Sequence, residues 1–376
     1  MIIAIVPDKY KGCLTAEEVG QSMTSGVADF NPAAKCFPYY ISDGGDGFLQ
    51  ALLRYKPKLE QISVQTVDAL NNSILGAYLW EEESMTAYIE LASASGLAGL
   101  DKDKLDVIKA STYGSGLEIR EAIERGATQL VVGLGGSATN DLGLGIARAV
   151  GFQFLDKEGK ELVPDLLEYE QIAEIKAPED YDQNIKWTIV NDVFNPLLGA
   201  EGATYTYGPQ KGVTRDLFEP VEAGIAHLAG LMEAFYGDEL RNIPGSGAAG
   251  GSAFGLMALF GANSVQGAPF LLQLAGFQSL LSEGQVSAVI TGEGKLDSQT
   301  AYGKLIQGVT SQATEFQVPV IAVCGAIEPN WDWRNIGLES AVGLSDLHDD
   351  PQYSFDHAAE LIREQTTKLL SELFDH

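Results

Sequence analysis

Acidic side chains lie among glycines or directly after short apolar segments at several points of the chain. Asp43 and Asp46 flank glycines in SDGGDG, Asp192 follows WTIV, and Glu293 and Asp297 follow AVIT in GEGKLDSQ. Carboxylates at strand ends suit Mg²⁺, because it needs only one or two of them when phosphate oxygens and water complete its shell. Aspartate is also a common turn residue, and for Asp43 and Asp46 this alternative stays open. The pattern predicts chemistry on a phosphate.

Lysines beside glycines are the second candidate group. Lys9 and Lys11 lie in PDKYKG, Lys211 in YGPQKG, and Lys295 and Lys304 in GKLDSQTAYGK. Such a lysine can bring a point charge to a phosphate oxygen without steric obstruction. A solvated lysine in a turn is the alternative for any single one of them. Five cases in a chain with 52 acidic and 24 basic residues favour anion binding.

The segment GLGGSATNDLGLG, residues 133–145, joins the apolar QLVV to the helical pattern IARAVG. A glycine-rich turn that opens a helix presents backbone N–H groups and a partial positive charge to an anion. The pattern Gly133-x-Gly135-x-x-Ala138, with Asp156 roughly 20 residues further on, also fits a dinucleotide site, so NAD is one hypothesis. A second glycine cluster, residues 245–255, fits either an anion site or close helix packing.

Several apolar segments must position these residues. The runs at 2–7, 128–133, 287–292 and 318–325 alternate with helical patterns, which is typical of a parallel sheet covered on both faces. Ligands of such sheets bind at the carboxyl ends of the strands. Residues 62–92 alternate like hairpin strands, with turn residues at Asn71 and Asn72, and indicate an inserted mixed α/β unit. The end of the chain, residues 355–374, has helical periodicity.

The amino-acid composition excludes several classes of function. The 376 residues include 45% hydrophobic side chains, enough for two domains, and the net charge of −28 disfavours nucleic acid and anionic membranes as partners. The absence of a signal-like start and of a long apolar run predicts a cytoplasmic protein. Cys13, Cys36 and Cys324 are interpreted as reduced, packed thiols. The four histidines lie away from the glycine motifs, which argues against zinc and against a histidine base.

Together these features exceed what hydride transfer needs and match phosphoryl transfer, in which positioning and charge neutralisation carry most of the catalysis. The sequence contains neither the P-loop pattern nor the HRD and DFG motifs of protein kinases. Three hypotheses stay open at this point: a small-molecule kinase, an NAD-dependent dehydrogenase of a hydroxy acid that uses residues 133–145, and a nucleotide-binding regulatory module without turnover.

Nine motifs, in order, resemble those of the bacterial-type (type I) glycerate kinases: PDKYKGCLTA, SDGGDG, ASASGL, STYGSG, GLGGSATND, NDVFNPLLG, YGPQKG, GSGAAGG and TGEGKLDSQTAYGK. The resemblance runs from about residue 3 to about residue 330. Three residues depart from the motifs of that family. Tyr10 stands where Phe is usual, Cys13 where Ser or Thr is usual, and Asp46 where Glu is common. The resemblance implies a flavodoxin/Rossmann-like parallel-sheet domain from residues 1–60 and 280–376. It also implies an inserted mixed α/β domain at 61–279, with 106–150 unassigned and the active site in the cleft between the domains.

The resemblance further implies ATP and Mg²⁺, with D-glycerate as acceptor and 2-phosphoglycerate favoured over 3-phosphoglycerate as product. A homodimer is left open. Asp192 is the first choice for the base and Asp297 the second, with Lys211 also catalytic. Lys9, Lys11 and Lys211 are the candidates for holding the substrate carboxylate, together with backbone N–H groups. The other expected substrate contacts are Asp8, Asn195 and Ser95. The residues expected to bind the nucleotide are Gly135, Gly136, Ser137, Asn140, Asp141, Gly292, Glu293, Lys295 and Lys304. The residues expected to bind the metal ion are Asp297, Glu293, Asp43 and Asp46.

Overall fold

The computed structural model describes residues 1–41, 45, 47–101, 105–179, 181–298, 300 and 305–374. The chain divides into two compact units, which we call the terminal unit (Met1–Ile41 with Ala268–His376) and the central unit (Ser42–Gly267). Both divisions fall earlier in the chain than the expected ones at 60/61 and 279/280. Two contacts account for this. Glu90 accepts hydrogen bonds from the N–H groups of Gly47 and Leu49, which joins residues 47–55 to the central unit. Residues 277–282 pack on the helix that begins at Leu305 in the terminal unit.

The strands, in chain order, are β1 (Ile2–Pro7), β2 (Lys35–Pro38), β3 (Glu60–Val67), β4 (Ser73–Glu81), β5 (Thr86–Glu90), β6 (Gln129–Gly133), β7 (Gln153–Leu155), β8 (Glu174–Lys176), β9 (Lys186–Val190), β10 (Asn263–Val265), β11 (Val286–Gly292), β12 (Lys295–Leu296), β13 (Val320–Cys324), β14 (Ala326–Ile327) and β15 (Ser340–Gly343). The α-helices are α1 (Ala16–Phe30), α2 (Phe48–Tyr55), α3 (Leu91–Ser95), α4 (Tyr113–Glu124), α5 (Leu144–Ala149), α6 (Ala203–Tyr207), α7 (Phe218–Tyr236), α8 (Ser252–Phe260), α9 (Gly267–Leu274), α10 (Phe277–Ser282), α11 (Leu305–Glu315), α12 (Pro351–Asp356) and α13 (Ala358–Phe374). Short 3₁₀ helices span Leu166–Gln171, Pro209–Lys211, Arg215–Leu217, Trp333–Ile336 and Leu344–Asp346.

The terminal unit contains a five-stranded sheet in the order β15-β13-β11-β1-β2, and every pairing in it is parallel. Numbered within this unit, the order is the flavodoxin-like 2-1-3-4-5. Ile3 and Ile5 of β1 are fully buried, and they share a core with side chains of α1 and α13. A capping box formed by Thr15 and Glu18 starts α1. The expected parallel-sheet fold class is confirmed, as are the predicted strands at 2–7, 287–292 and 318–325.

The central unit contains a mixed six-stranded sheet in the order β10-β9-β6-β5-β4-β3. Strands β5, β6, β9 and β10 run parallel, whereas β3 and β4 form the antiparallel hairpin that the alternation predicted. Asn71 occupies the turn of that hairpin with φ of 66°. The predicted strand at 128–133 is β6 and belongs to this sheet, which assigns residues 106–150 to the central unit. Among the described residues no helix is long and apolar enough to cross a bilayer.

Candidate active site

We call the segment after β6, residues 134–143, the glycine loop. It lies at the carboxyl end of a parallel strand, with the segments after β5 and β9 on either side. A dinucleotide fold would continue from this loop through a helix into a neighbouring parallel strand. Here the chain leads through α5 into β7, which pairs antiparallel with β8. Asp156 caps the turn that follows, accepting hydrogen bonds from the N–H groups of Glu158 and Lys160. The dinucleotide interpretation is therefore not supported.

Asp141 holds the glycine loop in place. One of its carboxylate oxygens accepts hydrogen bonds from the N–H of Thr112 at 2.8 Å, the Thr112 hydroxyl at 2.9 Å and the N–H of Gly145 at 3.2 Å. The other oxygen accepts from the N–H of Gly143 at 3.2 Å. Burial raises the pKa of this carboxyl, and the hydrogen bonds oppose the shift. The Asp141 side chain, expected to contact the nucleotide, thus serves to position the loop.

Lys211 packs its amine under the same loop. The side chain extends from the 3₁₀ helix Pro209–Lys211, and the residue is only 2% exposed. Its Nζ donates hydrogen bonds to Ser137 Oγ at 2.8 Å and to the carbonyl oxygen of Thr139 at 2.6 Å. Burial lowers the pKa of the amine to about 7, against the attraction of the Asp141 carboxylate. A lysine in this environment can gain or lose a proton near neutral pH.

Two buried oxygens beside this lysine have no hydrogen-bond partner among the residues that the structure describes. They are Thr139 Oγ1 and Asn140 Oδ1, in residues that are 0% and 1% exposed. The amide nitrogen of Asn140 donates to Thr204 Oγ1 at 3.2 Å. Buried polar atoms are ordinarily satisfied by protein, water or ligand. Nearer the start of the loop, Gly135 is partly exposed and Gly136 is exposed, with φ of 68° at Gly136.

The second glycine cluster is explained by packing. A Cβ on Gly250 would lie 2.1 Å from the carbonyl oxygen of Thr139, and one on Gly255 would lie 1.7 Å from that of Leu142. Since real Cβ contacts are never this short, only glycine lets the start of α8 approach the glycine loop. The open choice between an anion site and close packing is therefore decided for Gly250 and Gly255 in favour of packing.

The segment after β9 lies beside the glycine loop. Asp192 Oδ1 accepts a hydrogen bond from the N–H of Gly267 at 2.7 Å. Asn195 is engaged at both ends of its amide, since it donates to the carbonyl oxygen of Glu201 at 2.7 Å and accepts from the Tyr207 hydroxyl at 2.6 Å. Asp192 is half-buried and keeps the position expected of a strand-end carboxylate, whereas the Asn195 side chain braces its own loop.

Ser95, expected to contact the substrate, is completely buried at the end of α3. Its hydroxyl pairs with that of Ser115 at 2.8 Å. Its carbonyl oxygen accepts from the N–H of Ala138 at 2.8 Å, which fixes the glycine loop from the other side. The sequence had not singled out Thr112 or Ser115, although both lie in the STYGSG motif that carried the resemblance.

The carboxyl ends of β1 and β11 meet in the terminal unit. The N–H of Asp8 donates to the carbonyl oxygen of Gly292 at 2.8 Å. Asp8 is half-buried, and Lys9 and Lys11 are exposed. Gly292 allows the close approach of β13, because a Cβ there would lie 1.9 Å from the Val323 carbonyl oxygen. These expected site residues are thus at one sheet edge.

Glu293, Lys295 and Asp297 follow β11 directly. Glu293 is 5% exposed and accepts a hydrogen bond from the Thr300 hydroxyl. The Lys295 amine lies 3.5 Å from Asp297 Oδ2, and the Thr300 hydroxyl accepts from the Asp297 N–H at 3.2 Å. Across the described part of the chain, no group of three or more acidic, histidine or cysteine side chains could hold a metal ion. Glu293 and Asp297 offer carboxylate oxygens, the hard donors that suit Mg²⁺ when phosphates carry it. Asp43, Asp46 and Lys304 lie outside the described residues.

Comparison with known proteins identifies the family. The model of the glycerate kinase family matches residues 3–373. The chain belongs to the glycerate kinase family. Curated glycerate kinases are similar to it: that of Bacillus subtilis is 34% identical over 96% of this chain and 94% of its own. The glycerate kinase of Halalkalibacterium halodurans is 35% identical over 88% of this chain and 87% of its own.

Two further relatives extend the comparison. A glycerate 2-kinase of Escherichia coli is 32% identical over 87% of this chain and 86% of its own. A crystal structure assigned to glycerate kinase 2 from Salmonella typhimurium superposes with a TM-score of 0.78 at 29% identity and covers 99% of this chain and 98% of that one. The family match confirms the resemblance seen in the motifs, and nothing in it supports a dehydrogenase.

Proposed function

We propose that this glycerate kinase family member transfers the γ-phosphoryl group of MgATP to a hydroxyl of D-glycerate. The observation that carries the proposal is the Lys211 amine, buried beneath a glycine loop at a strand end and hydrogen-bonded to that loop. In a chain of net charge −28, an anionic substrate needs such a local cation. The family match supports glycerate as the acceptor and ATP as the phosphoryl donor.

The acceptor acid is proposed to bind in the central unit. Its carboxylate would take a hydrogen bond from the Lys211 ammonium and further ones from backbone N–H groups around Gly135 and Gly136, which are the solvent-facing part of the loop. Charge-assisted hydrogen bonds of this kind are roughly twice as strong as neutral ones. Asp141 and Ser95 act here only by positioning the loop.

The phosphates are proposed to bind in the terminal unit, where Lys295 supplies positive charge and Glu293 and Asp297 supply carboxylate oxygens. These carboxylates would hold Mg²⁺, whose charge would offset that of the phosphates. Lys9 and Lys11 lie at the same sheet edge. We therefore favour phosphate contacts for them over the substrate carboxylate contacts that the sequence suggested.

Asp192 is the proposed general base. It would accept the proton of the substrate hydroxyl while that oxygen forms a bond to the γ-phosphorus. The bond from the γ-phosphorus to the bridging oxygen breaks, and ADP leaves with that oxygen. The hydrogen bond from Gly267 orients the Asp192 carboxylate for this step. We propose the 2-hydroxyl as the acceptor. The name of the Escherichia coli relative, glycerate 2-kinase, supports this choice.

One assay tests the function and the position of transfer. The purified protein is incubated with ATP, Mg²⁺ and D-glycerate, and ADP release is followed. Enolase is then added, because it dehydrates 2-phosphoglycerate but not 3-phosphoglycerate. ADP that forms only with both glycerate and Mg²⁺ supports the kinase, and an immediate enolase signal supports the 2-phosphate. ADP without an enolase signal would reject the 2-hydroxyl. ADP release that does not depend on glycerate would reject the acceptor.

A further inference from the structure

A cavity of about 230 Å³ lies at the carboxyl edge of the terminal sheet. Its walls come from the segments that follow four of the parallel strands. Lys11 and Cys13 follow β1, Gly294 follows β11, Gly325 follows β13, and Ser345 follows β15. Because β2 and β11 flank β1 on opposite sides, this edge is the switch point of the sheet. Sheets with this strand order bind ligands at that point.

The floor of the cavity is apolar. Leu344, Ala358 and Tyr10 line it and are 2%, 3% and 4% exposed. The Tyr10 hydroxyl donates a hydrogen bond to the carbonyl oxygen of Val323 at 2.5 Å. The Ser354 hydroxyl donates one to the carbonyl oxygen of Leu344 at 2.9 Å. The polar groups of the floor are therefore satisfied inside the protein, and apolar surface faces the cavity.

An exposed phenylalanine is among the residues that line the same cavity. Phe355 lines it, yet the residue is 48% exposed. An exposed ring beside an apolar cavity offers a stacking face for a flat heterocycle. Stacking of this kind is tolerant of the identity of the base, because every base presents a π-face.

We infer that this cavity binds the adenosine portion of the phosphoryl donor. The inference rests on the proposed function, which has two substrates. A three-carbon hydroxy acid is small and charged and needs polar partners, whereas the apolar floor and the Phe355 ring suit a base and its sugar. The volume is below the roughly 300–1,000 Å³ of sites that hold whole drug-sized ligands, so the triphosphate extends outside.

Residues proposed to bind the phosphates lie next to the cavity. Gly294 lines the cavity and lies between Glu293 and Lys295, the residues proposed to meet the phosphates. The exposed Lys11 is part of the same wall. The N–H groups of Gly325 and Ala326 are bonded to the carbonyl oxygens of Glu293 and Gly294, so the wall is held together by backbone.

Cys13 allows occupancy of the cavity to be measured directly. It lines the cavity and is half-buried, with Sγ 3.4 Å from the Phe355 carbonyl oxygen. Cys324 is fully buried, and Cys36 can be removed as C36S. Burial raises the pKa of the Cys13 thiol, so alkylation is run at about pH 8.5 to provide thiolate.

In the C36S protein we expect adenosine and ADP each to slow alkylation of Cys13 by N-ethylmaleimide at least about fivefold at saturation, measured by mass spectrometry of the Cys13 peptide. D-Glycerate alone should change the rate less than about twofold. The inference is overturned if ADP binds, as followed by calorimetry, without slowing the alkylation. It is equally overturned if glycerate protects and adenosine does not.

A second pair of variants leaves Cys13 in place. Phe355→Ala should raise KM for ATP at least about fivefold and leave KM for glycerate within about twofold, since only stacking is lost. Phe235→Ala removes a ring of similar exposure, 44%, on α7 of the central unit, and should change neither constant. Equal effects of the two variants would contradict the inference. Absence of glycerate-dependent ADP release from the unaltered protein would instead reject the proposed function, whatever the alkylation shows.

Discussion

The Lys211 ammonium lies 2.8 Å from the Ser137 hydroxyl, across 74 residues of chain. The 3₁₀ helix that carries the lysine and the loop that carries the serine belong to separate parts of the central unit. Their contact buries the one cation that the proposed acid site needs. It also places the cation where its proton is weakly held.

Removing the Lys211 amine should cost transition-state stabilisation without unfolding the protein. Lys211→Met keeps the length of the side chain and loses two donated hydrogen bonds and the charge. A hydrogen bond to a charged group is worth about 1.5–3 kcal/mol, so we expect kcat/KM for glycerate to fall roughly 10- to 150-fold. The thermal midpoint serves as the folding control. A value of kcat/KM within about twofold of the parent enzyme would remove Lys211 from the site.

The lowered pKa of Lys211 predicts a pH limb on kcat/KM. With a pKa of about 7, the amine is charged below neutral pH and loses its charge above it. If the charged form binds the substrate, kcat/KM for glycerate falls above pH 7, approaching about tenfold per pH unit. Lys211→Arg should lose this limb because a guanidinium stays protonated. An unchanged limb in the arginine variant would assign the titration to another group.

The lowered pKa of Lys211 also predicts how the free energy of unfolding changes with pH. The ordinary pKa of a lysine is 10.5, so between pH 7 and 10.5 the unfolded state binds more protons than the folded one. The free energy of unfolding of the ligand-free protein should therefore rise with pH in this window, relative to Lys211→Met. Urea unfolding of both proteins measures the difference, and a fall in that window would contradict the buried position of the amine.

Asp141 is predicted to be needed for folding stability. Asp141→Ala leaves the buried N–H groups of Thr112, Gly143 and Gly145 without their acceptor. At about 1–3 kcal/mol for each unsatisfied buried group, a loss above about 3 kcal/mol is expected in urea unfolding. Asp156→Ala is the matched control, since its carboxylate also accepts backbone N–H groups but in an exposed turn where water replaces it. Equal losses would mean that Asp141 is not the anchor of the loop.

Magnesium dependence separates the proposed roles of Asp192 and Asp297. Asp192→Asn retains an oxygen for the Gly267 N–H, so the loop should persist while kcat falls about 10²-fold or more. Its half-saturating Mg²⁺ concentration should not change. Asp297→Asn should raise that concentration, because a metal carboxylate is lost. The opposite pattern, read from Mg²⁺ titrations of steady-state rates, would exchange the two roles.

The sequence by itself determined the elements and their chemistry. The continuous apolar runs around Ile3, Val131 and Val289 indicated buried parallel strands, and the alternation on either side of Asn71 indicated a hairpin. The glycine motifs at the strand ends indicated where to expect a ligand site. These features follow from local periodicity and turn chemistry, which neighbouring residues fix.

The tertiary structure decided which of the predicted site side chains lie inside the protein. Asp141 and Ser95 belong to motifs predicted to form the site, yet hydrogen bonds to Thr112 and Ser115 hold them in the interior. Lys211 belongs to a turn motif, yet it is buried under a loop formed by a distant segment. A buried polar group must find its partner wherever the fold brings one, and those partners lie tens of residues away, beyond the reach of local sequence patterns.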